Sequence, residues 1–381
     1  MRKVHDNLIY LDAASTTPVF DEIIEDVYRL LKNYYGNADS LHVMGQRVSS
    51  LVGESRNQIA KYLGVLPHEI IFTSGGTESN VSAIKGIVFA DMSRKHIITS
   101  NVEHSSVTDT FNQLERVFGY DVDVLPVNEK GYVEPELIKK HLREDTILVA
   151  MMAINNEVGS IFPISEYATL IKKHSNAYFH VDGVQAFIKE DIPLKQVDSI
   201  SFSAHKIHGL KGSGILVKKA NVPFEPLITG GQQEFGLRGG TLNAIPAIVF
   251  SKTMRLAKEK RDANYQKIVA LNKLLWESFE NDPDIVINSF REGTPYIFNM
   301  SIKNVGSEIM MNALNAKDVL VSARSTCHSQ SNSPSPVLKA LGRSDKEALS
   351  SIRISLHDDS TVEEIKRAIN IVMETKAYVQ L

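Results

Sequence analysis

Two hydrophobic periods alternate along this chain. An apolar run over residues 8–11 predicts a short strand, and Asp12-Ala13-Ala14-Ser15-Thr16-Thr17 a polar turn after it. Thr17-Pro18 has the form of a helix cap followed by proline at the first helical position. Phe20, Ile23, Ile24, Val27, Leu31 and Tyr34 then share one helical face, and Gly36-Asn37 stops the helix. A second amphipathic helix is expected over 46–63, ending at Gly64. From residue 69 the period shortens: 69–73 reads as a strand, followed at once by Ser74-Gly75-Gly76-Thr77-Glu78-Ser79-Asn80 and an apolar helix. Further strands are expected over 96–100, 121–127, 146–151 and 178–182, with Pro135 and Pro163 at helix starts between them.

This order predicts an α/β fold whose large domain is a mostly parallel sheet sandwiched by helices. Ligands bind such a sheet beyond the carboxyl ends of its strands. Polar residues collect there: Glu103 and His104, Asn155 and Asn156, Asp182 and Gln185, and Ser203 to Lys206. The glycine-rich turn Gly209-Leu210-Lys211-Gly212-Ser213-Gly214 leads into a strand over 215–217, and a glycine-dense loop over 230–243 carries Gln232, Glu234, Arg238 and Thr241. A helical stretch runs from 244 to about 280, after which strands at 296–302, 319–322 and 351–355 mix with helices. The expected division is a large domain over 18–255 and a smaller α+β domain made of 1–17 and 256–381.

Composition narrows the class without naming a function. The chain has 381 residues, 43% hydrophobic and 23% charged, which is ordinary for a globular protein. A net charge of -3 gives no electrostatic reason to expect nucleic acid or an anionic membrane as partner. No apolar run is long enough to span a bilayer, and residues 1–12 lack the apolar core of a secretion signal. Cys327 is the one cysteine, so no intramolecular disulfide forms, in keeping with a reducing, cytoplasmic setting.

The candidate chemistry centres on Ser201-Phe202-Ser203-Ala204-His205-Lys206, read as a strand that closes on an imidazole and an amine. A desolvated lysine loses its proton more easily, and its free amine adds to carbonyls as a Schiff base. The alternative is a solvated surface lysine. The turn at 74–80 suits a phosphate at a helix N-terminus, or is a plain strand-to-helix turn; it matches neither the dinucleotide nor the P-loop pattern. Asp182 ends the apolar Tyr178-Phe179-His180-Val181 and needs a partner: a pyridinium nitrogen, a helix cap or a buried ion pair. His104 either stacks on a ring or is a satisfied core histidine. Taken together, a phosphate turn, histidine, aspartate and lysine come in the order expected of a pyridoxal phosphate enzyme.

With those residues in place, the chain resembles the cysteine desulfurases, a branch of the class V aminotransferase family with the fold-type I pyridoxal phosphate architecture. The matching stretches are Tyr10-Leu11-Asp12 with Thr16-Thr17-Pro18, Thr73 to Ser79, Glu103-His104, and Asn155-Asn156-Glu157-Val158-Gly159. They continue with His180-Val181-Asp182 and Gln185, Ser203 to Lys206, and Glu234 with Gly236, Arg238 and Gly240-Thr241-Leu242-Asn243. Ser325-Thr326-Cys327 and Arg353 with Ser355 complete the set, which covers nearly the whole chain.

The resemblance implies roles residue by residue. Lys206 would anchor pyridoxal 5'-phosphate covalently and shuttle protons once substrate displaces it. His104 would stack on the ring and assist proton transfer, Asp182 would partner the pyridine nitrogen, and Gln185 the ring hydroxyl. Gly76, Thr77, Ser203 and His205 would cradle the phosphate, with Thr241 reaching the phosphate of a neighbouring subunit in a homodimer. Asn156, beside the cofactor, and Arg353 would hold the substrate carboxylate, an arginine fork being suited to two parallel hydrogen bonds. The implied reaction converts L-cysteine to L-alanine, the thiolate of Cys327 taking the sulfur as a persulfide for an acceptor protein in iron–sulfur cluster assembly or in tRNA or cofactor thiolation. No metal is implied. The polar stretch around Cys327 reads as a loop able to carry the sulfur outward.

The sequence also departs from the family pattern. Ala38-Asp39 stands where proline and serine are common, Leu210 where proline is usual, Gln232 in place of a glycine and Phe235 in place of an arginine. Arg324 replaces a frequent glycine; its cation would lower the pKa of Cys327, contact an acidic acceptor, or remain solvated. Two other readings are a selenocysteine lyase of the same fold and a cofactor-binding docking partner without catalysis.

Overall fold

β-Branched and aromatic runs supply the strands of the main sheet. The computed structural model describes residues 8–323 and 333–379. After β1 (Ile9–Tyr10) come helices α1 (Asp21–Asn33) and α2 (Val43–Leu63), then β2 (Ile70–Thr73), α3 (Gly76–Ala90), β3 (His96–Ser100), α4 (Ser105–Phe118) and β4 (Asp121–Leu125). Next are α5 (Pro135–His141), β5 (Thr146–Met152), α6 (Ile164–His174), β6 (Tyr178–Asp182), β7 (Ser199–Ser203), β8 (Gly214–Lys218) and α7 (Ala244–Phe279). Seven strands form one sheet in the order β2-β8-β7-β6-β5-β3-β4. Strands β3 to β7 run parallel, whereas β8 is antiparallel to both β7 and β2. All seven residues of β5, Thr146 to Met152, are buried, as expected of a central strand covered on both faces.

A second sheet of three antiparallel strands, β9 (Ile285–Ile287), β10 (Ile297–Ile302) and β12 (Ser351–Ser355), is ordered β12-β10-β9. Between them in sequence, β11 (Val319–Leu320) pairs in parallel with β1, so the chain's beginning joins its last third. Helix α7 runs unbroken for 36 residues. Its first half packs Ala247, Phe250, Met254 and Ala257 into the larger core, and its second half packs Ile268, Leu271, Leu275 and Phe279 into the smaller one.

Three local expectations are corrected. Thr17 does not cap α1: Phe20 stands at that cap, and the Thr17 hydroxyl instead accepts from the His208 amide at 2.7 Å. The face read for α1 is buried only in part: Phe20, Ile23, Val27 and Tyr34 pack against the core, whereas Ile24 and Leu31 do not. Ile23 and Leu30 turn inward, while Ile24, Tyr28 and Leu31 are exposed, because an apolar stripe fixes the helical period but not which neighbour covers it. Finally, β7 ends at Ser203, and Ala204–Lys206 form a 3₁₀ turn, so Lys206 stands one turn beyond the strand.

Candidate active site

Several of the parallel strands end at one cavity and deliver polar groups to it. Between β2 and α3, Gly75 takes φ 152°, a conformation that favours glycine. A Cβ on Gly76 would lie 2.6 Å from Val184 Cγ2, so the helix N-terminus approaches the end of β6 as closely as glycine allows. At the end of β6, Asp182 Oδ2 accepts from Asn80 Nδ2 at 2.8 Å and its Oδ1 from the Val184 amide at 3.0 Å. Asn80 is oriented in turn by His180, whose Nε2 lies 3.0 Å from Asn80 Oδ1. Burial pushes His180 down to about 3, so the ring is neutral, donating from Nε2 and accepting on Nδ1 from the Ser199 hydroxyl.

His104 caps α4, its Nδ1 accepting from the Ser106 amide at 3.1 Å. Beside it Glu103 is buried: Oε1 accepts from Ser100 Oγ and from the Met152 amide at 3.1 Å, while Oε2 has no partner among the described residues. Burial raises its pKa to about 8, so the side chain is a neutral acid at pH 7.

Lys206 Nζ donates to the carbonyls of Ala14 at 2.6 Å and Ser15 at 2.8 Å. Burial lowers its pKa to about 7; the cations Arg353 and Lys189 add to this, and Asp12 and Asp182 partly oppose it. The amine is therefore available unprotonated near neutrality. Burial also lowers His205, to about 4, leaving a neutral ring 3.2 Å from Thr16 Oγ1. Across the cavity Arg353 is fully buried, with Nη1 donating to the Asn156 carbonyl at 2.8 Å and Nη2 to Asp12 Oδ1 and Ser15 Oγ.

These groups meet in one cavity of about 490 Å³. Of the residues singled out from the sequence, Gly76, Thr77, His104, Asn156, Asp182, Gln185, Ser203, His205, Lys206 and Arg353 line it together. Thr241 is exposed and does not line its own chain's cavity. Cys327, with Arg324 before it, lies outside the described residues. Sequence reasoning assigned no role to Asn80, Asp12, Ser15 or Ser106, which also line the cavity. Only the fold brings them there, although Asn80 already stood in the glycine-rich turn.

The residues present fit pyridoxal phosphate. Two predicted ligands, Ser203 Oγ and Gln185 Oε1, are buried polar atoms without partners among the described residues, an arrangement that costs stability unless a ligand fills it. An ion-stabilising carboxylate, a poorly protonated lysine and a helix N-terminus face the same space, matching the ring nitrogen, the aldehyde and the phosphate of that cofactor.

Comparison with known proteins agrees with this geometry. Residues 9–368 match the model of the aminotransferase class-V family. The cysteine desulfurase IscS of Buchnera aphidicola subsp. Acyrthosiphon pisum is 40% identical over 96% of this chain and 91% of its own length. Among solved structures, a NifS-like protein superposes with a TM-score of 0.91 at 34% identity, covering 97% of this chain and 100% of that one. Another, described as SspA in complex with cysteine, gives 0.79 at 30% identity over 91% and 98%. The chain belongs to the class V aminotransferase family, whose members use pyridoxal phosphate, and within it is cysteine desulfurase-like.

Proposed function

We propose that this protein is a homodimeric, cytoplasmic cysteine desulfurase that converts L-cysteine to L-alanine and leaves the sulfur on Cys327 as a persulfide for an acceptor protein. The observation that carries this reading is the meeting of Lys206, Asp182 and Arg353 in one cavity, the amine titrating at about 7 and the guanidinium buried. When bound there, pyridoxal phosphate supplies an electron sink for the α-carbon of an amino acid. The chain's own residues do the rest. Asp182, oriented by Asn80 and the Val184 amide, presents its carboxylate to the ring nitrogen, while Gln185 and Ser203 offer oxygens that have no partner among the described residues. Arg353 and Asn156 hold the substrate carboxylate. The Lys206 amine takes up and returns the α-proton, a role that requires a pKa near the working pH.

Sulfur transfer balances without an outside oxidant. The Cys327 thiolate attacks the substrate sulfur, an S–S bond forms as the Cβ–S bond breaks, and the electron pair stays with carbon, where a proton completes the methyl group of alanine. Two features support a homodimer. Thr241 is exposed and does not line its own cavity, and α1 exposes Ile24, Tyr28 and Leu31, followed by Tyr35 and Leu41 in the loop beyond.

The test is sulfide and alanine release from cysteine under reductant by the pyridoxal phosphate-loaded protein. Cys327→Ser should keep the coloured cofactor and lose sulfide release; undiminished release by that variant overturns the role given to Cys327. Negligible alanine from cysteine alongside rapid turnover of selenocysteine moves the reading to a selenocysteine lyase. A wild-type protein that binds the cofactor but turns over neither leaves the docking reading standing.

A further inference from the structure

Behind Lys206 lies a second, much smaller cavity that the proposed reaction does not use. Lys206 and Lys189 both line it, together with Tyr296, His357 and Asp358 of the C-terminal part of the chain. Lys189 is buried, and among the described residues no side-chain hydrogen bond fixes it. Its Nζ lies 5.4 Å from the centroid of the Tyr296 ring, whose hydroxyl donates to Asp358 Oδ1 at 3.1 Å. The backbone places this lysine at a cost. Ile188, immediately before it, takes φ 67°, a left-handed conformation that is a clear outlier for a β-branched residue. The Lys189 amide closes the turn by donating to the Ala186 carbonyl at 3.0 Å. A strained residue that turns an ammonium inward, toward a site already holding Arg353, calls for a reason beyond packing.

We propose that Lys189 is a positioning residue for Lys206, its buried ammonium repelling a second positive charge and so keeping the Lys206 amine unprotonated and nucleophilic. This rests on Lys206 being the lysine that binds the cofactor.

The groups around the pair leave that task to few charges. His208 and His357 line the same cavity, and burial lowers both, His208 to about 4, so both rings are neutral at pH 7. The cations that lower Lys206 are Arg353 first and Lys189 second, opposed by the carboxylates of Asp12 and Asp182, and Lys211 is a further cation lining the larger cavity with it. Facing Lys189, Asp358 and Glu190 favour its charged form, while burial and Arg353 disfavour it, leaving it at about 8. Arg261 also lines the cavity, from α7. Lys189 is thus mostly charged at the pH where Lys206 is half neutral. Buried like charges interact far more strongly than solvated ones.

The experiment reads the two amines directly. Full-length protein freed of cofactor is labelled with trace acetic anhydride from about pH 5 to about pH 10, and acetylation at each lysine is quantified by mass spectrometry. Lys206 should reach half-maximal reactivity near 7, and Lys189 above it, near 8. K189M should move the Lys206 midpoint to higher pH, lowering its labelling at pH 7 by about threefold or more, and K189R should restore it. A merely structural lysine would leave that midpoint in place, and an unchanged midpoint in a folded K189M overturns the proposal. If K189M does not fold, K189Q takes its place. The wild-type order is an independent check that needs no variant: Lys189 titrating below Lys206 also overturns the proposal. A protein that shows no visible band with pyridoxal phosphate, yet keeps the K189M shift, refutes the cofactor reading and leaves the Lys189–Lys206 coupling intact.

Discussion

Arg353 and Asp12 are 341 residues apart in sequence, yet Nη2 of the arginine donates to Oδ1 of the aspartate at 2.9 Å in the cavity wall. The pairing depends on β1 joining β11 and on an isolated bridge between Asp12 and Ser355, which bring the two chain ends to one side of the site. Asp12, Ser15 and the Asn156 carbonyl together fix the guanidinium plane before any substrate arrives. Pre-orientation of that kind lowers the entropy lost on binding a carboxylate.

Arg353→Ala should therefore act chiefly on substrate binding. Loss of charge-assisted hydrogen bonds worth roughly 1.5–3 kcal/mol predicts a KM for cysteine raised by about tenfold or more, with a smaller change in kcat. Steady-state kinetics on cysteine decide this; an unchanged KM would assign the carboxylate to another residue.

Lys206 carries a stability signature besides its chemistry. Its folded-state pKa of about 7 lies below the ordinary 10.5, so between those values the unfolded chain binds more protons and stability rises with pH. Burying the ammonium is thus a cost borne in full below about pH 7 and relieved toward pH 10.5. Lys206→Met in the cofactor-free protein should be more stable than wild type by up to about 5 kcal/mol at pH 6, an advantage that fades toward pH 10. Urea unfolding at the two pH values measures it. The same variant should show no visible cofactor band.

Glu103 gives the opposite slope. With a folded-state pKa of about 8 against an ordinary 4.5, the native protein holds the extra proton between those values, so its contribution is fully present below about 4.5 and is lost as pH rises through 8. Glu103→Gln keeps the shape without the ionisation. Its stability relative to wild type should increase from pH 5 to pH 8 in denaturant titrations, and a flat difference would mean that Glu103 is already charged.

How far the site was legible depends on where each residue's partner lies. Asp182 could be read because a carboxylate ending an apolar strand demands a partner, and Lys206 because it follows a buried strand in a βα series. Asn80 could not. Its meaning comes from Asp182 and His180, about a hundred residues away, and nothing local distinguishes it from any polar helix residue. The parallel sheet was legible from its alternation of strands and helices, but the reversal of β8 was not, since Gly214–Lys218 has the same composition in either direction. The outward face of α1 failed for the same reason: Ile24 and Leu31 keep helical spacing whether or not anything covers them.

Asn80→Ala should expose the dependence of Asp182 on its neighbour. The substitution removes the 2.8 Å donor to Asp182 Oδ2 and leaves His180 Nε2 without its acceptor. Stranded buried groups cost roughly 1–3 kcal/mol each, so urea unfolding should show a loss in that range. Pyridoxal phosphate should also dissociate faster, since a less well oriented carboxylate holds the ring nitrogen less well. Retention equal to wild type would show that the Val184 amide alone suffices.

The loop that carries Thr241 has an anchor of its own. Glu234 Oε2 accepts from Arg56 Nη1 at 2.9 Å and from the Phe72 amide at 2.7 Å, and the guanidinium lies 4.6 Å from the Phe72 ring centroid and 5.0 Å from that of Phe235. Glu234 and Phe235 both take left-handed backbone conformations, φ 47° and 60°, so the loop's path is held by this pair rather than by local preference. Arg56→Ala would leave a buried carboxylate unpaired and should cost about 3–5 kcal/mol, whereas Arg56→Ala combined with Glu234→Gln should recover part of the loss by removing the stranded charge. If Thr241 serves a neighbouring subunit, Arg56→Ala should also loosen cofactor binding although Arg56 does not line the cavity, and a concentration-dependent loss of the visible band is the readout. Equal destabilisation of the single and double variants would show that the ion pair is not what holds the loop.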